Sequence, residues 1–359
     1  MRIRCYVGAA ALMGWALATP GFAQVDEAAS IDMTPGLGPN DAAAPSVIQP
    51  DTKATASTLL PANQAVIMGP VSVLQVRPNV YMLTTAQGAN FALLTGPQGS
   101  VVVDSGGGDC AAVVAAAKQV ARGPIRYVFE TSGDPDRVGC VDALSSAGKQ
   151  YGALNMRGPP KSEKAPVYAN EHTLLRLSQL PGAKNLPSEG NTRSTVSFSV
   201  GGQGIQALFT PAHTDGDILV LFRQADVIAA GNLFDDTHFP VIDLANGGSI
   251  QGEINALNRL VDELTIPPVP KWAGWYGTLV IPGRGHLCDQ ADLVMYRDML
   301  TVIRDRVAAL LKQGRTLEQV QAADPTRGYA GRFGSNSGSW TTREFVEAVY
   351  KSLQRGDKS

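Results

Sequence analysis

The chain has 359 residues, 44% hydrophobic, 17% charged and 6% aromatic, which is enough apolar material for a large core and excludes wholesale disorder. Lys and Arg number 30 against 32 Asp and Glu, a balance that gives no reason to expect a nucleic-acid partner. With 38 Gly and 23 Pro, turns are frequent, as in a sheet-rich fold with functional loops.

Residues 1–23 read as a secretory signal peptide. Arg2 and Arg4 precede an apolar run over residues 5–18, and Gly21 and Ala23 supply the small residues for a cut after Ala23. The run is short for a membrane span, and no cysteine follows the cut to carry a lipid. Cleavage leaves 28 basic against 32 acidic residues and no integral membrane segment, so the expected location is periplasmic or secreted. Cys5 departs with the signal, leaving Cys110, Cys140 and Cys288, an odd count that allows at most one internal disulfide. Residues 24–64 are rich in Ala, Pro, Gly, Asp and Ser without apolar periodicity, and read as a flexible linker.

Strands are predicted over residues 71–76, 80–84, 91–94 and 100–104, the last running into Ser105 and three glycines. A helix over 111–121, a buried strand over 125–130 and a helix over 141–146 follow. The polar, proline-rich stretch from about 157 to 195 carries no clear period. Strands return at 205–209, 218–223 and 227–230, then a helix at 251–264 and a strand at 278–281. Residues 291–312 carry apolar side chains at three- and four-residue spacings, and Thr316 with Gln319 and Thr341 with Glu344 are capping boxes opening short helices. This order predicts an α/β sandwich of two sheets covered by helices. Cys110 starts the helix after one sheet strand and Cys140 the helix after the next, so parallel neighbouring strands would bring them together as a candidate disulfide.

Four polar clusters sit where apolar strands end, the place where α/β proteins aim side chains from several loops into one cavity. They are Thr131-Ser132-Gly133-Asp134-Pro135-Asp136-Arg137, Pro211-Ala212-His213-Thr214-Asp215-Gly216-Asp217, Gly231-Asn232 and Pro282-Gly283-Arg284-Gly285-His286. Their order and spacing resemble the metallo-β-lactamase superfamily, over roughly residues 71–290, and the helices after Tyr296 resemble those of an exported branch of it. The resemblance implies a four-layer αβ/βα sandwich over 65–290 with a C-terminal helical extension over 291–355, and a hydrolase ancestry. Laid on this chain, the first motif puts Ser132 and Asp134 at two His positions, Asp136 at the Asp and Arg137 at the last His. His213 stands at the third His of the first metal position, Asn232 at the bridging carboxylate and Arg284 at the final His.

Arg has no lone pair to give, so Arg137 and Arg284 cannot be ligands, and Asn232 removes the charge that would hold two ions together. Asp134 and Asp136 against Arg137 and Arg284 cancel without metal. The expectation is therefore a degenerate metal site, with no cofactor or one divalent metal, zinc being the candidate, held by Asp134 and His213 with help from His286 or His238. Two readings of function follow. One is a non-catalytic or metal-free cavity that binds a small molecule or an exported protein partner. The other is a hydrolase of ester, amide or thioester bonds with a rebuilt mononuclear site in which Asp136 takes a catalytic part. A third reading makes Arg137 and Arg284 an anion clamp for a carboxylate or phosphate. Outside these motifs, His172 reads as a solvated helix residue, Asp104 with Gly106 to Gly108 as a tight turn, and Ser146 with Lys149 as a chance Ser-x-x-Lys.

Overall fold

The computed structural model describes residues 65–68, 70–150, 163–181, 186–268 and 277–356. The signal and linker expected over residues 1–64 lie outside the described residues. Thirteen strands form two sheets among those described. The first holds β1 (Ala65–Met68), β2 (Val71–Arg77), β3 (Val80–Thr85), β4 (Asn90–Gly96), β5 (Gly99–Val103), β6 (Ile125–Phe129), β7 (Val167–Asn170) and β8 (Glu189–Asn191), in that order. The second holds β9 (Thr195–Val200), β10 (Gln203–Phe209), β11 (Ile218–Phe222), β12 (Val227–Asp235) and β13 (Leu279–Arg284), again in neighbouring order. Pairing is antiparallel from β1 to β5 and from β9 to β12. It is parallel from β5 to β8 and between β12 and β13.

The layering follows from side-chain alternation along each strand. Ala92, Leu94, Val101 and Val103 of the first sheet meet Ile205, Ala207, Val220, Val227, Ala229 and Ile281 of the second in one inter-sheet core. The alternate residues Phe91, Leu93 and Val102 point outward under helices α1 (Cys110–Val120) and α3 (Val141–Ala147). On the other side Leu208, Leu219, Ile228, Ala230 and Val280 pack under α5 (Ile250–Arg259), α6 (Gln290–Lys312) and α9 (Thr342–Gln354). The order helix, sheet, sheet, helix is the four-layer architecture expected, with a C-terminal helical part resting on the second sheet. Remaining helical segments are α2 (Pro135–Val138), α4 (Glu171–Gln179), α7 (Leu317–Ala322) and α8 (Ala330–Phe333).

The aperiodic stretch from 157 to 195 contains more than the sequence suggested: β7, α4, β8 and the first residue of β9. Only Thr173 and Leu177 of α4 are buried, so its apolar face is too narrow to stand out. β12 also runs past Ala230, the residue at which the apolar run stops. Its pairing with β13 shifts on either side of Gly231, so polar Asn232 is carried inside the strand. The Thr316 and Thr341 capping boxes form, and the second opens a helix of 13 residues rather than a short one. Cys110 and Cys140 form a disulfide with Cα atoms 5.1 Å apart, each at the start of a helix leaving neighbouring parallel strands β5 and β6. Among the described residues, none of the helices is long and apolar enough to cross a membrane.

Candidate functional site

The four polar clusters converge at one end of the sandwich. The turn after β6 supplies Ser132 and Asp134, and α2 supplies Asp136 and Arg137; the β10–β11 turn supplies His213; Asn232 comes from β12 and Arg284 from the end of β13. The sheets are stitched together here, because Asn90 Nδ2 donates to the carbonyls of Pro282 (3.1 Å) and Gly285 (3.0 Å). Gly231 has φ +54° and abuts Thr131, where a Cβ would collide with the threonine hydroxyl, so only glycine lets β12 approach the first sheet this closely.

Asp134 is the first centre of the network. Its Oδ2 accepts from Ser132 Oγ at 2.6 Å, His213 Nε2 at 2.8 Å and Asn232 Nδ2 at 2.9 Å. On its other side the His213 ring places Nδ1 2.6 Å from the Val241 carbonyl, which can only accept. Nδ1 therefore carries a proton, and so does Nε2 if Asp134 is ionised. Burial would lower the His213 pKa, but the hydrogen bond to and charge of Asp134 outweigh it and raise it to about 10. Burial likewise pushes Asp134 upward, and His213 overcomes this to hold the carboxyl well below its ordinary range. The pair is a buried carboxylate–imidazolium ion pair.

Asp136 is the second centre. Its Oδ2 accepts from Arg137 at 3.2 Å and Arg284 at 2.8 Å, while Oδ1 accepts from Asn232 at 3.2 Å. Asn232 thus bridges the two carboxylates with one amide. Arg137 is 0% exposed and also donates to the carbonyls of Asn90 (2.8 Å) and Gly283 (3.1 Å). Beneath it lies Asp104, a residue the sequence suggested only as part of a turn. Asp104 has φ +64° and accepts from the Thr131 backbone (2.8 Å) and hydroxyl (2.9 Å) and from Arg137 at 3.4 Å. Burial pushes its carboxyl up to about 6 against the pull of Arg137. An aspartate ending a buried apolar strand was the available signal, but its arginine partner lies 33 residues away.

A cavity of about 490 Å³ opens on these groups, lined by Asp134, Asp136, His213, Asn232 and Arg284 and walled by Asp235, His238, Phe239, Ser335 and residues 337–340, ending in Trp340. His238 borders it as anticipated from the loop position, with its ring nitrogen 3.2 Å from Asp235. His286 does not line it; it turns away to pair with Asp236. Trp340 comes from the C-terminal part, where no motif pointed to it.

Members of the superfamily that the motif order resembles usually bind zinc, so the donors here can be compared with what zinc needs. A catalytic zinc takes three protein lone pairs in near-tetrahedral array. The two arginines have none, both His213 nitrogens are committed to protein acceptors, and Asp134 Oδ2 already accepts three hydrogen bonds. As arranged, this donor set does not fit a divalent ion.

The sequence profile of the metallo-beta-lactamase superfamily matches residues 84–268. Among solved structures, a metallo-beta-lactamase from Pontibacter korlensis superposes with a TM-score of 0.50 at 20% identity, over 64% of this chain and 99% of that one. A stereoselective inverting sec-alkylsulfatase from Pseudomonas sp. superposes with a TM-score of 0.54 at 14% identity, over 78% of this chain and 49% of that one. This chain therefore spans about half the length of the alkylsulfatase, and at such identities the likeness concerns the fold alone. No curated protein matches the sequence. Since the matched profile covers just over half of the sequence and the sheet-on-sheet layering agrees with it, this chain belongs to the metallo-beta-lactamase superfamily.

Proposed function

We propose that this protein is an exported member of the superfamily whose cavity works without a metal ion, as a non-catalytic pocket for a small polar molecule. The observation that carries this reading is the double ion-pair network, Asp134 with His213 and Asp136 with Arg137 and Arg284, which supplies from the protein the positive charge that metal ions would otherwise bring. A volume of about 490 Å³ is in the range of small-molecule sites. Its wall offers acceptors on Asp134, Asp136 and Asp235, donors on Arg284, and the aromatic faces of Phe239 and Trp340. Export is supported by the signal-like residues 1–23 and is consistent with the Cys110–Cys140 disulfide, a bond that persists in oxidising compartments.

Protein isolated from its own cells and sprayed under native conditions should carry a small molecule that Trp340→Ala protein lacks. The competing reading, a mononuclear hydrolase built on Asp134, Asp136 and His213, makes the opposite demands. Zinc-soaked crystals with an anomalous peak bounded by those three residues, together with ester, amide or thioester turnover abolished by His213→Ala, would replace the binding role by the hydrolase.

A further inference from the structure

Next in sequence to Asp235 and two residues past Arg284, but outside the cavity lining, begins a second cluster that the site above does not use. Asp236, His286, Cys288 and Asp292 each present one ligand atom, and these four atoms all lie within 4.8 Å of one another. The geometry points to a structural metal site here, a clasp for zinc or a similar borderline divalent ion that ties β12, the β13–α6 turn and α6 together.

The donor set is what such an ion selects: one thiolate, one imidazole and two carboxylates. Tetrahedral zinc with bonds of about 2.0–2.3 Å needs its ligands about 3.3–3.8 Å apart, so edges within 4.8 Å must close by no more than about 1.5 Å while the tight His286–Asp236 contact opens. Three of the four donors sit on fixed backbone. Asp236 is buried and immediately follows β12. Cys288 is buried and exchanges both backbone hydrogen bonds with Val280 of β13, at 2.8 and 2.9 Å. Asp292 is held in the first turn of α6 by its capping box with Asp289, whose backbone N–H donates to Asp292 Oδ2 at 3.0 Å. His286, with its side chain 61% exposed, is the donor free to swing, and it already contacts Asp236 Oδ2.

Charge also closes. Two carboxylates and a thiolate around a dication leave one negative charge, and Arg332 supplies the positive one through its 2.8 Å contact with Asp236 Oδ1. Cys288 is moreover the cysteine left over by the Cys110–Cys140 disulfide, a buried thiol beside three other donors rather than a lone one. A bland account, a His286–Asp236 pair beside a Cys288 thiol that donates to Asp292, explains each pair separately but not the convergence of all four donors on one point.

The test uses the full mature chain stripped with chelator and titrated with Co²⁺ and then Zn²⁺. One equivalent of Co²⁺ should give tetrahedral visible bands and a thiolate charge-transfer band in the near ultraviolet. Zn²⁺ at a hundredfold excess over Kd should displace it and raise the melting midpoint by about 5 °C or more. Cys288→Ser should abolish the charge-transfer band. His286→Ala, at an exposed position that folding tolerates, should weaken Co²⁺ binding at least roughly 100-fold. Asp134→Asn and His213→Ala should leave the Co²⁺ spectrum unchanged. A wild-type chain that takes up neither ion, or a spectrum indifferent to both Cys288→Ser and His286→Ala, overturns the clasp alone and leaves the metal-free cavity standing. A spectrum lost in His213→Ala but kept in His286→Ala would put the ion in the cavity and overturn both proposals.

Discussion

The protonation state of His213 gives the sharpest test of the cavity. In this arrangement both ring nitrogens carry protons well above neutral pH, since His213 has a pKa raised to about 10 and its side chain is 3% exposed. A rise from an ordinary value near 6.5 corresponds to roughly 5 kcal/mol of interaction favouring the charged ring. The pair as a whole stabilises by less, because Asp134 remains 26% exposed and both charges lose hydration on folding. Asp134→Asn keeps the shape and an acceptor for Nε2 but removes the charge. We expect it to cost about 3 kcal/mol, the low end for breaking a buried pair, and to bring the His213 pKa down by about 2 units or more. The pH dependence has a definite sign. Asp134 is depressed, so its share is present above about 3.9 and is lost as pH falls below that; His213 is raised, so its share is complete below about 6.5 and is lost as pH climbs through about 10. The difference between wild type and variant in urea denaturation should be largest near pH 5–6 and shrink toward pH 10. Nitrogen-15 spectra of the imidazole supply the direct assay. An unprotonated Nε2 in wild-type protein at pH 8, or an Asp134→Asn variant with unchanged stability and titration, would refute the ion-pair account.

Arg284→His should not create a hydrolase: Asp136 keeps Arg137, and the lost 2.8 Å contact, about a third exposed at both ends, should lower stability by about 1 kcal/mol in denaturant melts with no turnover gained. Reducing the Cys110–Cys140 bond frees a segment with a sequence separation of 30, which loop entropy values at about 3–4 kcal/mol; calorimetry with and without reductant checks it, and an unchanged midpoint counts against the bond. Glu253 of α5 is buried with both carboxyl oxygens lacking a hydrogen-bond partner among the described residues, and burial drives its acid well above the ordinary range. The folded chain therefore keeps a proton that the unfolded chain releases above about 4.3, a penalty that grows with pH, so Glu253→Met should stabilise by about 1–3 kcal/mol at pH 8 and by less near pH 4. A loss of stability, or a gain independent of pH, would contradict that sign.

What could be read from the sequence divides along the range of the forces involved. Strands such as β5 and β11 are runs of apolar residues buried on both faces, a signal carried wholly by their own residues. The helix α6 declares itself by its apolar spacing for the same reason. β9 was hidden because its strand, TVSFSV, is only partly buried and follows a polar, proline-rich stretch. The site positions were legible only through motif order, because Asp134 and His213 are 79 residues apart and nothing local to either names the other. The role of Asp104 was invisible, since its left-handed backbone and its arginine are both set by how α2 folds back over β5. His286 shows the same limit from the other side: two residues from Arg284 it shared the motif, yet the turn at Gly285, φ +101°, sends it toward Asp236 instead of the cavity.

The network also explains why these substitutions belong together. Asp104, buried, and Asp134 and Asp136, each about a quarter exposed, bring three acidic groups together, and His213, Arg137 and Arg284 return three basic ones. Two carboxylates facing one cavity repel unless a cation lies between them, and any single replacement leaves that balance off by one charge in a low-dielectric place. An arginine at the position of Arg137 is tolerable only with acceptors already turned toward it, here the carbonyls of Asn90 and Gly283 besides two carboxylates. An amide at Asn232 is what allows both carboxylates to keep a shared neighbour without a metal, because its two N–H bonds reach Asp134 and Asp136 at once, whereas an aspartate there would add a fourth acid to the same few ångströms. The binding role proposed for the cavity rests on this balance of three cations and one amide.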